Sequence, residues 1–432
     1  MKRVTKIQSA LLFSLSALLG GCSDGGAADE GVEEPCDGPG VICTYMGNGL
    51  AGPGQDGARP RQVRLYLPQD LTFGPDGQPY VLDWNNHRVR TIVEGRVHTV
   101  IGNGDVGDGP DGPATGVPLN HPTHVNFDAE GRIILSAWHN SKVMRCDLEA
   151  GMLETISGDG DRSYSGDGGP AKLADLDLPV ATVFDSEGRL LLMDQANQRI
   201  RRIEKDGTIE TVVGPDRAQL PVPDGYERIC AENEQGAELC KLCVSNTADD
   251  PACAAQKPQG FAGDGGPGTE AVMFQPFSQS APPAGRMEMG PDGVLYFCDT
   301  GNHRIRTLDP DGTVRTVAGS GPASFDRGFE GGYAGDGGPA TDALLARPTD
   351  VAFDPDGNLF IADTFNGCIR KVDAQGIITT AAGRCGELGY GGDGGSPTEA
   401  KLDRPYGIAF DSEGNLYIAD THNHVIRVVY VE

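Results

Sequence analysis

The sequence predicts an all-β fold: a six-bladed β-propeller of four-stranded antiparallel blades, closed by its own first strand. Three observations carry this. Glycine supplies 63 of 432 residues, about twice the usual ~7%, and glycine weakens helices while suiting tight turns. A T-x-x-G signature closes a β-branched run six times, at Thr44, Thr99, Thr155, Thr211, Thr316 and Thr380. A hairpin of the form apolar-apolar-D-x-x-N-x-x-I-R recurs as often, around Asn86, Asn140, Asn197, Asn302, Asn366 and Asn423.

The chain opens on an address. Lys2, Arg3 and Lys6 precede an apolar run from Ala10 to Leu19 that is too short to span a bilayer as a helix. It ends in Leu19-Gly20-Gly21-Cys22. Residues 1–21 thus resemble a bacterial lipoprotein signal peptide, which implies lipid attachment at Cys22 and a protein anchored without spanning the membrane. The expected location is the bacterial cell envelope, periplasmic or at the cell surface. Residues 22–40 are acidic, glycine-rich and poor in apolar side chains, as in a flexible tether. With 35 Lys+Arg against 62 Asp+Glu the net charge is −27. That balance opposes nucleic-acid binding, which needs cations to neutralise phosphates, and leaves the lipid as the only expected membrane contact.

Residues 41–432 hold the repeats. In one unit Val351-Ala352-Phe353 is an inner strand, and Leu359-Phe360-Ile361-Ala362 a second. Ile369-Arg370-Lys371-Val372 is a third, and Ile377-Ile378-Thr379-Thr380 an outer one. Turns such as Asp354-Pro355-Asp356-Gly357 separate them. Short strands at a long fixed period indicate radial blades. Runs like Leu359–Ala362 do not alternate cleanly because a blade between two neighbours is apolar on both faces. The phase predicts closure: the chain begins with a lone outer strand, Val41–Met46, and ends in a third strand, Ile426–Val431. Their pairing would remove exposed edges. The step from Gly214 to Gly319 is nearly twice the others. Its excess, residues 215–260, is read as a cysteine-rich loop insertion between blades 3 and 4 rather than a seventh blade.

Segments such as Leu295–Arg306, Val314–Gly319 and Asn415–His424 resemble the NHL-repeat β-propeller family. The resemblance covers about residues 41–432 apart from the insertion. It implies the fold, and leaves function to the site.

Five hairpins carry Asp and Arg seven apart: Asp83/Arg90, Asp194/Arg201, Asp299/Arg306, Asp363/Arg370 and Asp420/Arg427. In the second blade both vanish together, as Ala137 and Met144. Joint loss points to a structural pair, since a buried charge left alone is costly. A ligand-binding ring of carboxylates is the alternative. The asparagine kept in all six hairpins is expected to take positive φ. Between blades lies a G-D-G-G-P motif, as at Gly166–Pro170, Gly263–Pro267 and Gly335–Pro339. It is read as an Asx-turn; calcium could suit its oxygens, but the EF-hand spacing is missing.

In an antiparallel meander the second-to-third turns, the blade-to-blade connections and the insertion share one face, which is the expected working surface. The inner strands place Asp70, His124, Arg286 and Asp350 at the channel mouth on that face, as candidate binding residues. Lactonases and peptide-amidating lyases, which resemble this architecture, carry channel metals. Here a single histidine and the opposing Arg286 argue for solvated mouth residues, so no metal, cofactor or catalytic residue is assigned; calcium or a channel metal is kept as the alternative. His87, His303, His422 and His424 fall at repeat positions and are not assigned as ligands. Candidate disulfides join Cys230, Cys240, Cys243 and Cys253 among themselves, Cys368 with Cys385, and Cys36 with Cys43, whereas Cys146 and Cys298 read as buried thiols. The expected function is a non-enzymatic scaffold binding a protein, peptide or glycan. A metal-dependent hydrolase or lyase in the channel mouth is the competing class.

Overall fold

The computed structural model describes residues 36, 38–215, 226–232, 238–244, 260–277, 281–322 and 331–431. The signal peptide, Cys22 and most of the tether lie outside the described residues, as do Cys253 and the side chains of Cys230, Cys240 and Cys243. Among the described residues, strands and single 3-10 turns are the regular elements, and no helix is long and apolar enough to cross a membrane.

Six antiparallel sheets form the ring, each with the four strands of a blade; in the second, Gly112–Pro113 adds a two-residue fifth strand at the outer edge. The inner strands are Asp70–Phe73, His124–Phe127, Pro179–Phe184, Met287–Met289, Asp350–Phe353 and Pro405–Phe410. The sixth blade takes its outer strand from the start of the chain. Ile42–Met46 pairs with Val425–Val429, setting Ile42 opposite Val429 and Thr44 opposite Arg427. The compact unit begins at Cys36. Gly40 donates its N–H to the Tyr430 carbonyl at 2.9 Å, and a Cys36–Cys43 disulfide ties the approach to this strand.

Each blade is buried on both faces, and successive residues serve different neighbours. In Leu359–Asp363 all five residues are buried. Leu359 and Ile361 pack with Cys298 and Ile305 of the preceding blade. Phe360 and Ala362 pack with Ile408 and Ile418 of the following one. That double burial removes the alternation a half-exposed strand would show. Aromatic edges repeat across the interfaces: Tyr80–Phe127, Tyr296–Phe353, Phe360–Phe410 and Phe73–Tyr417 each meet at 4.9 Å between ring centroids.

The glycine of T-x-x-G has a steric cause. At Gly102 φ is +87° and a Cβ would stand 2.1 Å from the His87 carbonyl oxygen. Gly158 and Gly319 meet Ser141 and His303 in the same way, each at 2.2 Å. The outer strand therefore crosses the hairpin turn too closely for any side chain.

The excess between blades 3 and 4 is an insertion, but it contains more than loop. Tyr226–Glu232 and Glu238–Val244 form an antiparallel hairpin in which Cys230 lies opposite Cys240 and Cys243 opposite Glu227. Its strands escaped the sequence reading because polar residues and cysteines interrupt the β-branched pattern. Cys368–Cys385 is a second disulfide, and Cys146 and Cys298 are buried thiols.

Candidate functional site at the channel mouth

The repeated motifs converge in one network in each of five blades. The hairpin pairs lie at 3.2 Å (Asp83–Arg90), 3.7 Å (Asp194–Arg201), 3.3 Å (Asp299–Arg306), 3.4 Å (Asp363–Arg370) and 3.5 Å (Asp420–Arg427), and all ten side chains are fully buried. Each arginine also binds the aspartate of the preceding connection: Asp56, Asp167, Asp264, Asp336 or Asp393. That second aspartate accepts the backbone N–H of the T-x-x-G threonine, as Asp264 does from Thr316 at 3.1 Å and Asp336 from Thr380 at 3.0 Å. The first two glycines of G-D-G-G-P do take positive φ, +88° at Gly263 and +81° at Gly265, and the third does not. The aspartate, however, reaches across the blade instead of closing a local Asx-turn. An aromatic three residues before it, Tyr164, Phe261, Tyr333 or Tyr390, lies over the same arginine. The lid lies outside the glycine motif, before its first glycine, so the motif alone does not reveal it.

Asparagine is not the positive-φ residue. That role falls to the next position: His87, Ser141, Gln198, His303, Gly367 and His424. The asparagine amide instead bridges two turns. Asn302 Nδ2 donates to Asp299 at 2.9 Å and to the Gly260 carbonyl at 2.6 Å. In blade 2, where Asp is replaced by Ala137, Asn140 Oδ1 accepts the N–H of Asn120, the bond Asp83 makes with Tyr66 in blade 1. Three of the repeat-position histidines are clasps between blades. Nδ1 of His87, His303 and His424 accepts the N–H of His121, Arg347 and Leu67 respectively.

At the mouth the expectation of solvated residues fails. Arg286 is 1% exposed, Asp70 3% and Asp350 6%. The guanidinium of Arg286 spans the channel. Its Nη1 lies 3.2 Å from Asp70 and 3.4 Å from Asp350 and 3.2 Å from the Tyr406 carbonyl oxygen. Its Nη2 donates to the carbonyls of Gln69 and Thr123 at 2.7 and 2.8 Å. One side chain from blade 4 thereby joins blades 1, 2, 5 and 6. The carboxylates each reach the next inner strand, Asp70 to the N–H of Val125 and Asp350 to that of Ile408.

Beside this plug lies a 240 Å³ cavity lined by Asp70, His124, Asn126, Thr182, Glu288 and Asp350. His124 Nδ1 faces the Thr182 N–H at 3.4 Å, and burial pushes its imidazole down to about 4, so it is neutral. Burial pushes the Asp350 carboxyl up, against Arg286. Burial, then repulsion from Asp350, pushes Glu288 up to about 8. Glu288 was missed: it lies two residues beyond Arg286 on a strand whose other copies carry Thr72, Asn126, Val183, Ala352 and Ala409 there. Asp70, His124 and Asp350 thus share one cavity wall, but the guanidinium stands between the two carboxylates where a cation would bind.

The family model described as Teneurin NHL domain matches residues 39–228 and 307–389, and the NHL repeat model matches 402–429. Teneurin-m of Drosophila melanogaster is 26% identical over 421 residues, covering 90% of this chain and 13% of that protein. Teneurin-1 of Homo sapiens is 26% identical over 380 residues, covering 77% of this chain and again 13% of the relative. The chain therefore spans a small part of these relatives. Two solved Bacteroides thetaiotaomicron proteins share the fold: a structural genomics protein of unknown function (TM-score 0.57, 18% identity, 90% of this chain and 74% of that one), and an auxiliary nutrient binding protein (TM-score 0.55, 16% identity, 90% and 75%). With six NHL-type units, the Asp–Arg network in five of them, and a family match over most of its length, the chain belongs to the Teneurin NHL domain family of β-propellers.

Proposed function

We propose that the chain is a bacterial envelope lipoprotein, lipid-anchored at Cys22, whose propeller binds a protein, peptide or glycan through the face bearing the second-to-third turns. One observation carries the binding role. The connection between blades 3 and 4 leaves the ring at Pro215 and returns at Gly260, whose carbonyl receives Asn302 of a second-to-third turn, and it holds a hairpin that the repeat itself does not require. An elaborated segment on a rigid scaffold is the usual seat of binding. The competing reading, a metal-dependent hydrolase or lyase, needs Asp70, His124 and Asp350 to face a cation, and Arg286 stands in that place.

Two measurements test the proposal. Radiolabelled palmitate should enter the wild-type chain and not Cys22→Ser. Cross-linking in whole cells should join the chain to a partner, and deleting residues 222–256 should abolish the adduct. An adduct that survives the deletion refutes this use of the face.

A further inference from the structure

The loop-side mouth of the channel gathers positive charge in a strongly acidic protein. Arg347 stands three residues before Asp350 and Arg404 three before Gly407, so the two occupy equivalent positions on neighbouring blades. Both guanidiniums lie over the Phe365 ring, with Cζ at 4.9 and 3.7 Å from its centroid. The two charges are therefore no farther apart than those two distances together. Among the described residues no carboxylate forms an ion pair with either. The adjacent acid, Asp403, is turned to His422 at 3.7 Å. Nη1 of Arg404 is buried and without a hydrogen-bond partner. Holding two like charges together with a donor unmet is unfavourable unless something negative joins them.

The inner strand Pro405–Phe410 supplies a further donor. Tyr406 is 6% exposed, and its carbonyl receives Arg286 and the Thr349 hydroxyl. Its phenol has no protein partner among the described residues. Burial raises its pKa while Arg404, Arg347 and Arg286 all pull it down, which places the hydroxyl within the field of all three arginines. Arg286 closes the floor, so a ligand enters from the loop side and stops there. Two forked guanidiniums over one ring, with a hydroxyl in their field, suit a carboxylate at the tip of a flexible group. Phe365, covered by the arginines, is not a free platform for a sugar ring.

We propose that this mouth binds a peptide carboxylate, held by Arg347 and Arg404 and by a hydrogen bond from the Tyr406 hydroxyl. The proposal rests on the binding-scaffold reading above and gives that partner an acidic segment.

The test titrates the full-length lipoprotein, in detergent micelles, into fluorescein-labelled tetraglutamate. Saturable binding that weakens as salt rises is expected, with no binding of tetraglutamine. Arg347→Gln and Arg404→Gln should each weaken it at least tenfold. Tyr406→Phe, which keeps the ring and its packing, should weaken it severalfold at an unchanged melting temperature. No saturable binding, equal binding of tetraglutamine, or full affinity in the Arg347→Gln/Arg404→Gln double variant overturns the proposal. So does saturation by oligogalacturonate in place of the peptide, which would assign the mouth to an acidic saccharide. If the cross-linked partner is retained by the double variant and lost on deleting 222–256, the mouth site fails while the scaffold reading stands.

Discussion

At the scale of single residues, the blade arginines show why partners are kept or lost together. Arg306 is fully buried and meets both Asp299 and Asp264. Removing it strands two carboxylates, one of them fully buried, so Arg306→Met should cost about 3–5 kcal/mol in denaturant unfolding. The pair Asp299→Ala/Arg306→Met copies the arrangement of blade 2, where Ala137 and Met144 are both buried. It should cost less than the sum of its single changes; strict additivity in the double-mutant cycle would show that the two do not interact. Glu288 offers a pH-dependent test. Its folded pKa of about 8 exceeds the ordinary 4.5, so between those values the folded state keeps a proton that the unfolded state has released. Its contribution is therefore intact below pH 4.5 and is lost as pH rises to 8. Glu288→Gln should match wild type at pH 4 and exceed it by on the order of 5 kcal/mol at pH 9. A difference that does not change with pH would place the carboxyl in water.

At the scale of elements, the seam between Ile42–Met46 and Val425–Val429 substitutes a non-local pairing for a covalent hairpin. The Cys36–Cys43 disulfide fixes the approach to that strand. Cys36→Ser/Cys43→Ser should lower stability by about 2 kcal/mol, and hydrogen exchange should quicken first at Val425–Val429. Uniform quickening across all six blades would mean the seam is no weaker than its neighbours. The seam, the six blades and the Asp–Arg pairing were legible because each obeys a repeat, and repetition separates signal from chance. Arg347, Phe365 and Arg404 were not, because each occurs once or twice at its repeat position and the turn conformation alone brings them together. The insertion hairpin stayed hidden for the opposite reason: it has no second copy to compare.

At the scale of the whole molecule, Arg286 turns an open ring into a closed one. It bonds to four other blades where a channel would otherwise run through. Arg286→Met leaves three carbonyls and two carboxylates facing an apolar chain, and should destabilise the ring by about 3–5 kcal/mol and lower its melting temperature. A melting temperature equal to wild type would mean the keystone bonds contribute nothing net. The seam also has a mechanical consequence. The outer strand of blade 6 is the one nearest the N-terminus, so tension applied through that end enters the ring at its joint. The Cys36–Cys43 bridge carries the load past residues 37–42 and delivers it at Cys43. Load that runs along the strand from Cys43 shears its pairing with Ile426–Val428 together rather than opening it one bond at a time, which is the geometry in which a β-sheet resists force best.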